Sequence, residues 1–494
     1  MKYLIFFLSS FFIFSTIRAE IKPNSLFCDD SVLQIGIDMP AWGYAKEGEN
    51  SIVLNNNLVG EVICAGQSNM EWALFKSTGG EEAMATSTNP KPKDSNSMIG
   101  DTTQGKLQNR LRELNKDILQ KGIIWDTITK SKLLTGYSYG QFYDWDLYFE
   151  NIYMSYYGIP EYNFANLNAF LKMQQPDGFI KRSFGKKNYG ANHMFKPFIA
   201  QIALLGSRSV GNFEWAKQHY PQIKSYLKKW FSYDTDGNGL VYWSGGADHS
   251  GMDNQTTRCL GKSEGVDLNC YLVRELKAMA IIAKALGYTK DEKEFLVHAE
   301  QLKSLINKFL WDEKTGFYYD RNEVIGKTTF VKSISGFTPI WAEVATKKQA
   351  DRLVKEHLTN PQEFWLEFPV PGYAKSEPDY YQGTRHGECN WRGSTWIPTN
   401  YMICHGLVKY GYKKVAKELA SKTFNMVLNN KTTREYYDAI SGQGYGMNPF
   451  YGWSSLAYYL PLEIETDYNP TDLNIKQIKK LSDEVGVIFN PDMK

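Results

Sequence analysis

The sequence predicts an all-α architecture for its larger part, about residues 95–469, preceded by a shorter fragment that is β-rich or irregular. Three observations lead there. Roughly a dozen segments carry apolar residues at helical spacing. The loops between them are short and rich in glycine and aromatic residues. No strict repeat divides the helical zone, so its helices must bury themselves around one core. Concentric helix pairs closing into a toroid are one solution, which periodicity alone does not select.

The elements follow in chain order. Lys2 and the apolar run Tyr3–Ile17 read as a secretory leader cleaved near Ala19, which implies a secreted or periplasmic protein. That run is too short for a comfortable membrane span, and no other segment is apolar enough for one, so no span is expected in the mature chain. Residues 20–94 contain short strand-like runs and many turn residues. They end in the polar linker from Thr86 to Asp94. The helix candidates include Lys106–Lys121, Trp145–Tyr157, Tyr162–Met173, Phe195–Leu205, Phe213–Phe231, Leu268–Leu286, Lys290–Leu310, Lys347–His357, Thr395–Tyr410 and Lys413–Leu428. Leu268, Leu272, Leu276, Met279 and Ala283 form one apolar stripe, and Gly287 is the stop signal after it. Residues 470–494 form a polar tail with one short helix candidate, Leu473–Val485.

Composition excludes several classes. The net charge of +2 offers no electrostatic case for nucleic acid or for a membrane surface. Aromatic residues make up 15% of the chain, which suits either a large core or rings stacked on sugars. The six cysteines (Cys28, Cys64, Cys259, Cys270, Cys389 and Cys404) show neither a CxxC pair nor zinc spacing, so buried free thiols compete with disulfides. No phosphate-binding glycine loop or dinucleotide fingerprint is present.

The loops between the helices concentrate acids beside aromatics. They include Tyr143–Phe149, Gln175–Arg182, Gly245–Gln255, Asn390–Trp396, Arg434–Gly446 and Phe450–Leu456. Glycoside hydrolysis needs one carboxylic acid to protonate the leaving oxygen and a second carboxylate to activate water or to attack. An acid in a partly dry aromatic loop has its charged form disfavoured, which moves its pKa toward use as an acid. Taken one at a time, such loops are more often structural than catalytic.

Taken in order, six motifs resemble those of glycoside hydrolase family 63 and, at the clan level, the trehalases. They are Trp145-Asp146, Gln175-Pro-Asp-Gly178, Ser250-Gly-Met-Asp253, Trp391-Arg-Gly393, Glu435-Tyr-Tyr-Asp438 and Gly452-Trp-Ser-Ser455. The resemblance covers about residues 96–467. It implies an (α/α)6 toroid and an inverting hydrolase of α-linked sugars, acting on an oligosaccharide or small α-glycoside with no cofactor in the chemistry. It maps the general acid to Asp253 and the general base to Glu435. Trp145, Asp146, Trp391 and Arg392 match positions lining the sugar subsite. Relatives carry a glutamate before Ser-Gly, where this chain has Asp248 and His249, so these two are candidate sugar contacts. The family suggests α-glucosides first. α-Mannosides or mannosylglycerate are the alternative, and a non-catalytic sugar-binding barrel is the reading from another class.

Three further motifs remain. Asp234-Thr-Asp-Gly-Asn-Gly239 matches the first half of an EF-hand loop, so Asp234, Asp236 and Asn238 are candidate ligands of a structural calcium ion. The twelfth loop position is Gly245 rather than glutamate, and a metal-free Asx turn is the competing reading. Residues 24–94 resemble the start of sialate O-acetylesterases. Gly66-Gln-Ser-Asn-Met-Glu71 maps the esterase nucleophile to Ser68. That family's histidine base lies in an Asp-x-x-His element that this chain lacks, and about 70 residues cannot bury an esterase core. The sequons at Asn254 and Asn430 read as chance matches, because a glycan on Asn254 would block the site beside Asp253.

Overall fold

The computed structural model describes residues 122–474, apart from 128, 136–139, 157–159, 186–191, 259–260, 386–387 and 451, together with four short strands nearer the N-terminus. The chain forms two compact units, Ile99–Glu484 and a smaller one of Met1–Met98 with Val485–Lys494. In the smaller unit Lys22–Pro23 pairs with Gly43–Tyr44, and Ser51–Leu54 pairs with Asn57–Glu61, all antiparallel. The expected leader, Ser68, the linker, the helix candidates at 106–121 and 473–485 (from 475 on) and three cysteines lie outside the described residues. Cys270, Cys389 and Cys404 are free thiols. Among the described residues no helix is long and apolar enough to cross a membrane.

The large unit alternates buried and half-buried helices. In chain order they are α1 (Asp144–Tyr156), α2 (Pro160–Leu171), α3 (Ile199–Val210), α4 (Glu214–Trp230), α5 (Gly246–Ser250), α6 (Val266–Ala285), α7 (Thr289–Phe309), α8 (Thr338–Trp341), α9 (Lys347–Arg352), α10 (Ile397–Lys409), α11 (Lys413–Asn429) and α12 (Leu456–Thr466). Helices α1, α3, α6, α8, α10 and α12 are buried nearly all round. Each packs on the next, and α12 returns to α1, so these six close a ring. Helices α2, α4, α7 and α11 lie outside it and pack on their inner neighbours. This is the (α/α)6 toroid that the motifs imply.

Burial pattern sorts the two layers. Helix α7 buries only Ala299, Leu302 and Ile306, one stripe at helical spacing on an otherwise charged helix. Helix α6 differs from the single stripe expected for it. It buries Asp267, Asn269, Arg274 and Glu275 along with its leucines. These polar groups are satisfied by neighbours: Glu275 accepts the first amides of α3, Ala200 N at 2.6 Å and Gln201 N at 3.2 Å. Arg274 donates to Gln201 Oε1 at 3.0 Å and to Thr471 O at 2.7 Å, pinning the start of the C-terminal tail. The expected stop at Gly287 is present, with φ +79° just past the end of α6.

Small antiparallel sheets link the helices at the level of the site. Tyr436–Asp438 is the centre of a three-stranded sheet between Ser394–Thr395 and Gly444–Tyr445. Gln141–Tyr143 pairs with Ser183–Gly185 and runs directly into α1.

Candidate active site

Aromatic rings build the floor. Trp391 stacks on Trp396 at 3.6 Å with an interplanar angle of 7°, and Trp396 stacks on Tyr436 at 4.7 Å. Trp145 lies 5.3 Å from Trp391 and 5.7 Å from Trp453. Four of the six motifs therefore meet in one cluster. Trp145 and Trp391 were expected to line the sugar subsite, but they are 2% and 1% exposed. Trp396 covers one face of Trp391, and Trp145 meets Trp391, Phe149 and Trp453 at tilted or edge-on angles, so both rings belong to the floor. The motif Gln175–Gly178 stays away from the cluster: Asp177 pairs at the surface with Lys229 at 2.8 Å.

Asp253 reaches the recess through a specific turn. Helix α5 ends at Gly251, whose φ of +76° lets its N–H bond back to Ala247 O and Asp248 O. A Cβ on Gly251 would stand 3.2 Å from both the Trp145 ring and Lys196 Nζ, so the position also needs the missing side chain. Ser250 Oγ accepts the Met252 amide at 3.1 Å. The next residue, Asp253, is exposed to solvent yet lies in a recess dense with protein. Burial raises its pKa to about 7, aided by the charges of Asp248 and Glu435 and opposed by Arg182 and Lys196.

Glu435 comes from the other side of the ring, one residue before the central strand. Its Oε2 accepts the Met447 amide at 3.0 Å, and the Cys389 thiol lies 3.8 Å from Oε1. Gly446 makes room for it, because a Cβ there would lie 2.3 Å from Oε2. Burial raises the pKa of Glu435, against the Met447 amide, the Cys389 thiol and the Arg434 charge. Glu435 also raises the pKa of Asp253 and of Asp146, so the three carboxyls share one electrostatic neighbourhood. Asp146, buried in the first turn of α1, is pushed to about 8 by burial and by Asp144.

Two cations hold this acidic cluster, and the sequence motifs had not assigned either a role. Lys196 donates to Asp144 at 2.9 Å with both side chains fully buried. Burial and the Arg182 charge lower its pKa. Arg182 donates to Asp248 O and lies 3.8 Å from Asp248 Oδ1, while its buried Nε has no partner. Lys196 had a visible signal: it is a lone lysine in the apolar run from Met194 to Leu205. Lys196→Met should cost about 3–5 kcal/mol, because Asp144 would be left buried without its partner. Thermal or urea unfolding measures this, and a loss below about 1 kcal/mol would contradict the pairing.

The remaining expected contacts divide. Asp248 keeps an exposed side chain 3.3 Å from His193 Nδ1, at the edge of the recess. His249, expected as a sugar contact, is fully buried. Its Nδ1 is 3.1 Å from Ser244 Oγ and its Nε2 is 2.8 Å from Met194 O. The ring stacks between Trp230 and His193, so it stabilises the loop and has no free nitrogen for a ligand. Arg392 is half-buried and spends its Nε on Asn254 O at 2.6 Å.

The EF-hand-like loop is only partly what its spacing suggests. Asp234 accepts Gly237 N at 2.9 Å and Gly239 N at 3.1 Å, so both its oxygens hold the Asx turn. Asp236 instead meets Glu264 and Glu323, with carboxylate oxygens within 4.8 Å of one another. Asn238 joins them, donating to Glu264 Oε1 at 2.6 Å. Arg321 donates to Glu264 at 2.5 Å, Lys262 to Glu323 at 3.0 Å, and the buried Glu323 Oε2 has no partner. An unpaired buried carboxylate oxygen beside two further carboxylates is a donor set that fits a hard cation. Glu264 and Glu323 could not be found from the loop alone, because they lie on other segments of the chain.

Comparison with known proteins supports the family and the fold. A family model described as the mannosylglycerate hydrolase MGH1-like glycoside hydrolase domain matches residues 139–454. Cytosolic neutral trehalase of Kluyveromyces lactis is 31% identical over 193 residues, 36% of this chain and 25% of that protein. Mannosylglycerate hydrolase of Thermus thermophilus is 30% identical over 185 residues, 37% of this chain and 40% of that protein. The chain thus spans well under two thirds of the length of these curated relatives. Among solved structures, the GH63 mannosylglycerate hydrolase of Thermus thermophilus in complex with Tris and D-glycerate superposes with a TM-score of 0.59 at 19% identity. That match covers 72% of this chain and 99% of the other. Neutral trehalase of Saccharomyces cerevisiae gives 0.54 at 17% identity, covering 75% and 80%.

Proposed function

Because this chain belongs to the mannosylglycerate hydrolase MGH1-like glycoside hydrolase family, we propose that it is an inverting hydrolase of α-linked sugars. Asp253 protonates the leaving oxygen, and Glu435 removes a proton from the attacking water. The observation carrying this reading is the pair itself. Asp253, on one side of the ring, is solvent-accessible and held near a pKa of about 7. Glu435, on the other side, is fixed by the Met447 amide within electrostatic reach of it. An acid still partly protonated at neutral pH and a positioned second carboxylate are what two-carboxylate glycoside hydrolysis requires, and the family's inverting chemistry assigns that carboxylate the role of base. Asp248, exposed at the edge of the recess, would meet the sugar hydroxyls, and the buried Asp146 would tune the charge of the site. The polar rim and buried aromatic floor suit a small glycoside.

α-Glucosides are the first substrate class, and the relatives named for trehalose and mannosylglycerate set the alternatives. The family description favours a mannosylglycerate-type substrate as the second reading. The test is hydrolysis of α-gluco- and α-manno-oligosaccharides, trehalose and mannosylglycerate, with proton NMR of the freshly released sugar. The β-anomer should appear first. The α-anomer appearing first would refute inversion, and tight binding without release would favour a sugar-binding barrel.

Calcium is proposed as a structural ion held by Asp236, Glu264 and Glu323. EGTA should lower the melting temperature, and added calcium should restore it. An unchanged melting temperature would leave the three carboxylates to Arg321 and Lys262 alone.

A further inference from the structure

The acid and the base lie on segments far apart in sequence, and a third segment, Glu388–Arg392, joins them. On the acid side, the Trp391 amide donates to Asn254 Oδ1 at 2.8 Å and Arg392 Nε donates to Asn254 O at 2.6 Å. Gln255 Nε2 donates to Trp391 O at 3.0 Å. On the base side, Tyr436 OH donates to Glu388 O at 3.0 Å, and the Cys389 thiol reaches Glu435 Oε1 at 3.8 Å. A side-chain path runs in parallel: Asn254 Nδ2 donates to Tyr381 OH at 2.8 Å, and Tyr381 OH donates to the Glu388 carboxylate.

From this arrangement we propose that Asn254 is a positioning residue, whose amide fixes the peptide following Asp253 to the segment that also braces Glu435, and so sets the separation of acid and base. The proposal rests on Asp253 and Glu435 being that acid and base. Asn254 is buried, and both ends of its amide are used. The nitrogen a glycan would require is the one donated to Tyr381, which is why the sequon stays a chance match. Separation matters because a water molecule must fit between base and anomeric carbon while the acid still touches the leaving oxygen. A misplacement of about 1 Å can cost about 100-fold in rate.

A displaced acid has a signature that general loosening lacks. An alkoxide leaving group needs the proton, whereas fluoride leaves with little help. The full-length Asn254→Ala variant should therefore lose about 100-fold in kcat on an α-linked disaccharide, with KM little changed. On the α-fluoride of the same sugar it should lose less than about 5-fold. Tyr381→Phe, which removes the hydroxyl with its bonds to Asn254 and Glu388 and keeps the ring, should show the same selectivity at about 5-fold, and it carries the test if Asn254→Ala does not fold. Equal losses on both substrates would overturn the proposal. Asp253→Asn run alongside separates the two failures. If it too loses both substrates equally, the acid assignment is wrong. If it alone is selective, only the role of Asn254 falls.

Discussion

Asp253→Asn is expected to lower kcat on an α-linked disaccharide by about 1,000-fold, within the range that general acid catalysis supplies, and to leave the melting temperature unchanged. The asparagine keeps the size of the side chain, and no structural hydrogen bond of the Asp253 carboxyl is at stake in the turn formed by Ser250 and Gly251. What is lost is a proton that the recess keeps available at neutral pH. Burial, with the charges of Asp248 and Glu435, raises Asp253 from 3.8 to about 7. The acid works protonated and Glu435 works ionised, so wild-type kcat/KM should fall in acid as Glu435, raised by burial, takes up its proton, and should fall as pH rises through about 7 as Asp253 loses its own. A pH profile of both proteins checks this, and the variant should lack the second fall. A variant that kept near-full activity would move the acid to another carboxyl. Asp146, held at about 8, would be the next candidate.

The parts of this molecule that could be read from the sequence are those fixed by local chemistry. Ser250-Gly-Met-Asp253 is legible because the turn needs a hydroxyl and a residue at positive φ before the acid. The helices on the outside of the ring are legible because one face stays polar, as in α7. What stayed hidden depends on partners far away in the chain. The stripe on α6 hides the burial of Glu275 and Arg274, which makes sense only once the amides of α3 and the carbonyl of Thr471 stand opposite. Trp391 reads as a sugar-stacking ring until Trp396 stacks on it in the buried floor. His249 beside the acid reads as a ligand until Ser244 and Met194 occupy both nitrogens. Asp234 fits the spacing of a calcium loop, yet two glycine amides take its oxygens, and the carboxylates that complete the cluster arrive from Glu264 and Glu323. Spacing can nominate a residue, but whether its polar atoms remain free is decided by tertiary contacts.

Glu435→Gln should have an effect of the same size by a different route. The glutamine carbonyl can still accept the Met447 amide and fill the space left open at Gly446, so the sheet around Tyr436–Asp438 should survive intact. The side chain can no longer take a proton from water, and kcat should fall by about 1,000-fold with KM little changed. An anion needs no such base. Azide at the vacated water position can attack the anomeric carbon from the face opposite the leaving group, provided Asp253 still donates its proton. Azide should therefore restore turnover of an α-linked substrate by Glu435→Gln, with a β-glycosyl azide as product, and should do nothing for Asp253→Asn on the same substrate. Mass spectrometry and proton NMR of the product decide it. A β-azide formed only by the glutamine variant places Glu435 opposite the leaving group and gives Asp253 the proton donation, and a β-anomer released by the wild type then makes Glu435 a base rather than a nucleophile. An α-azide from Glu435→Gln would mean that a different carboxyl forms a covalent glycosyl intermediate, which azide opens from the leaving-group side, and that Glu435 is the acid/base of a retaining enzyme.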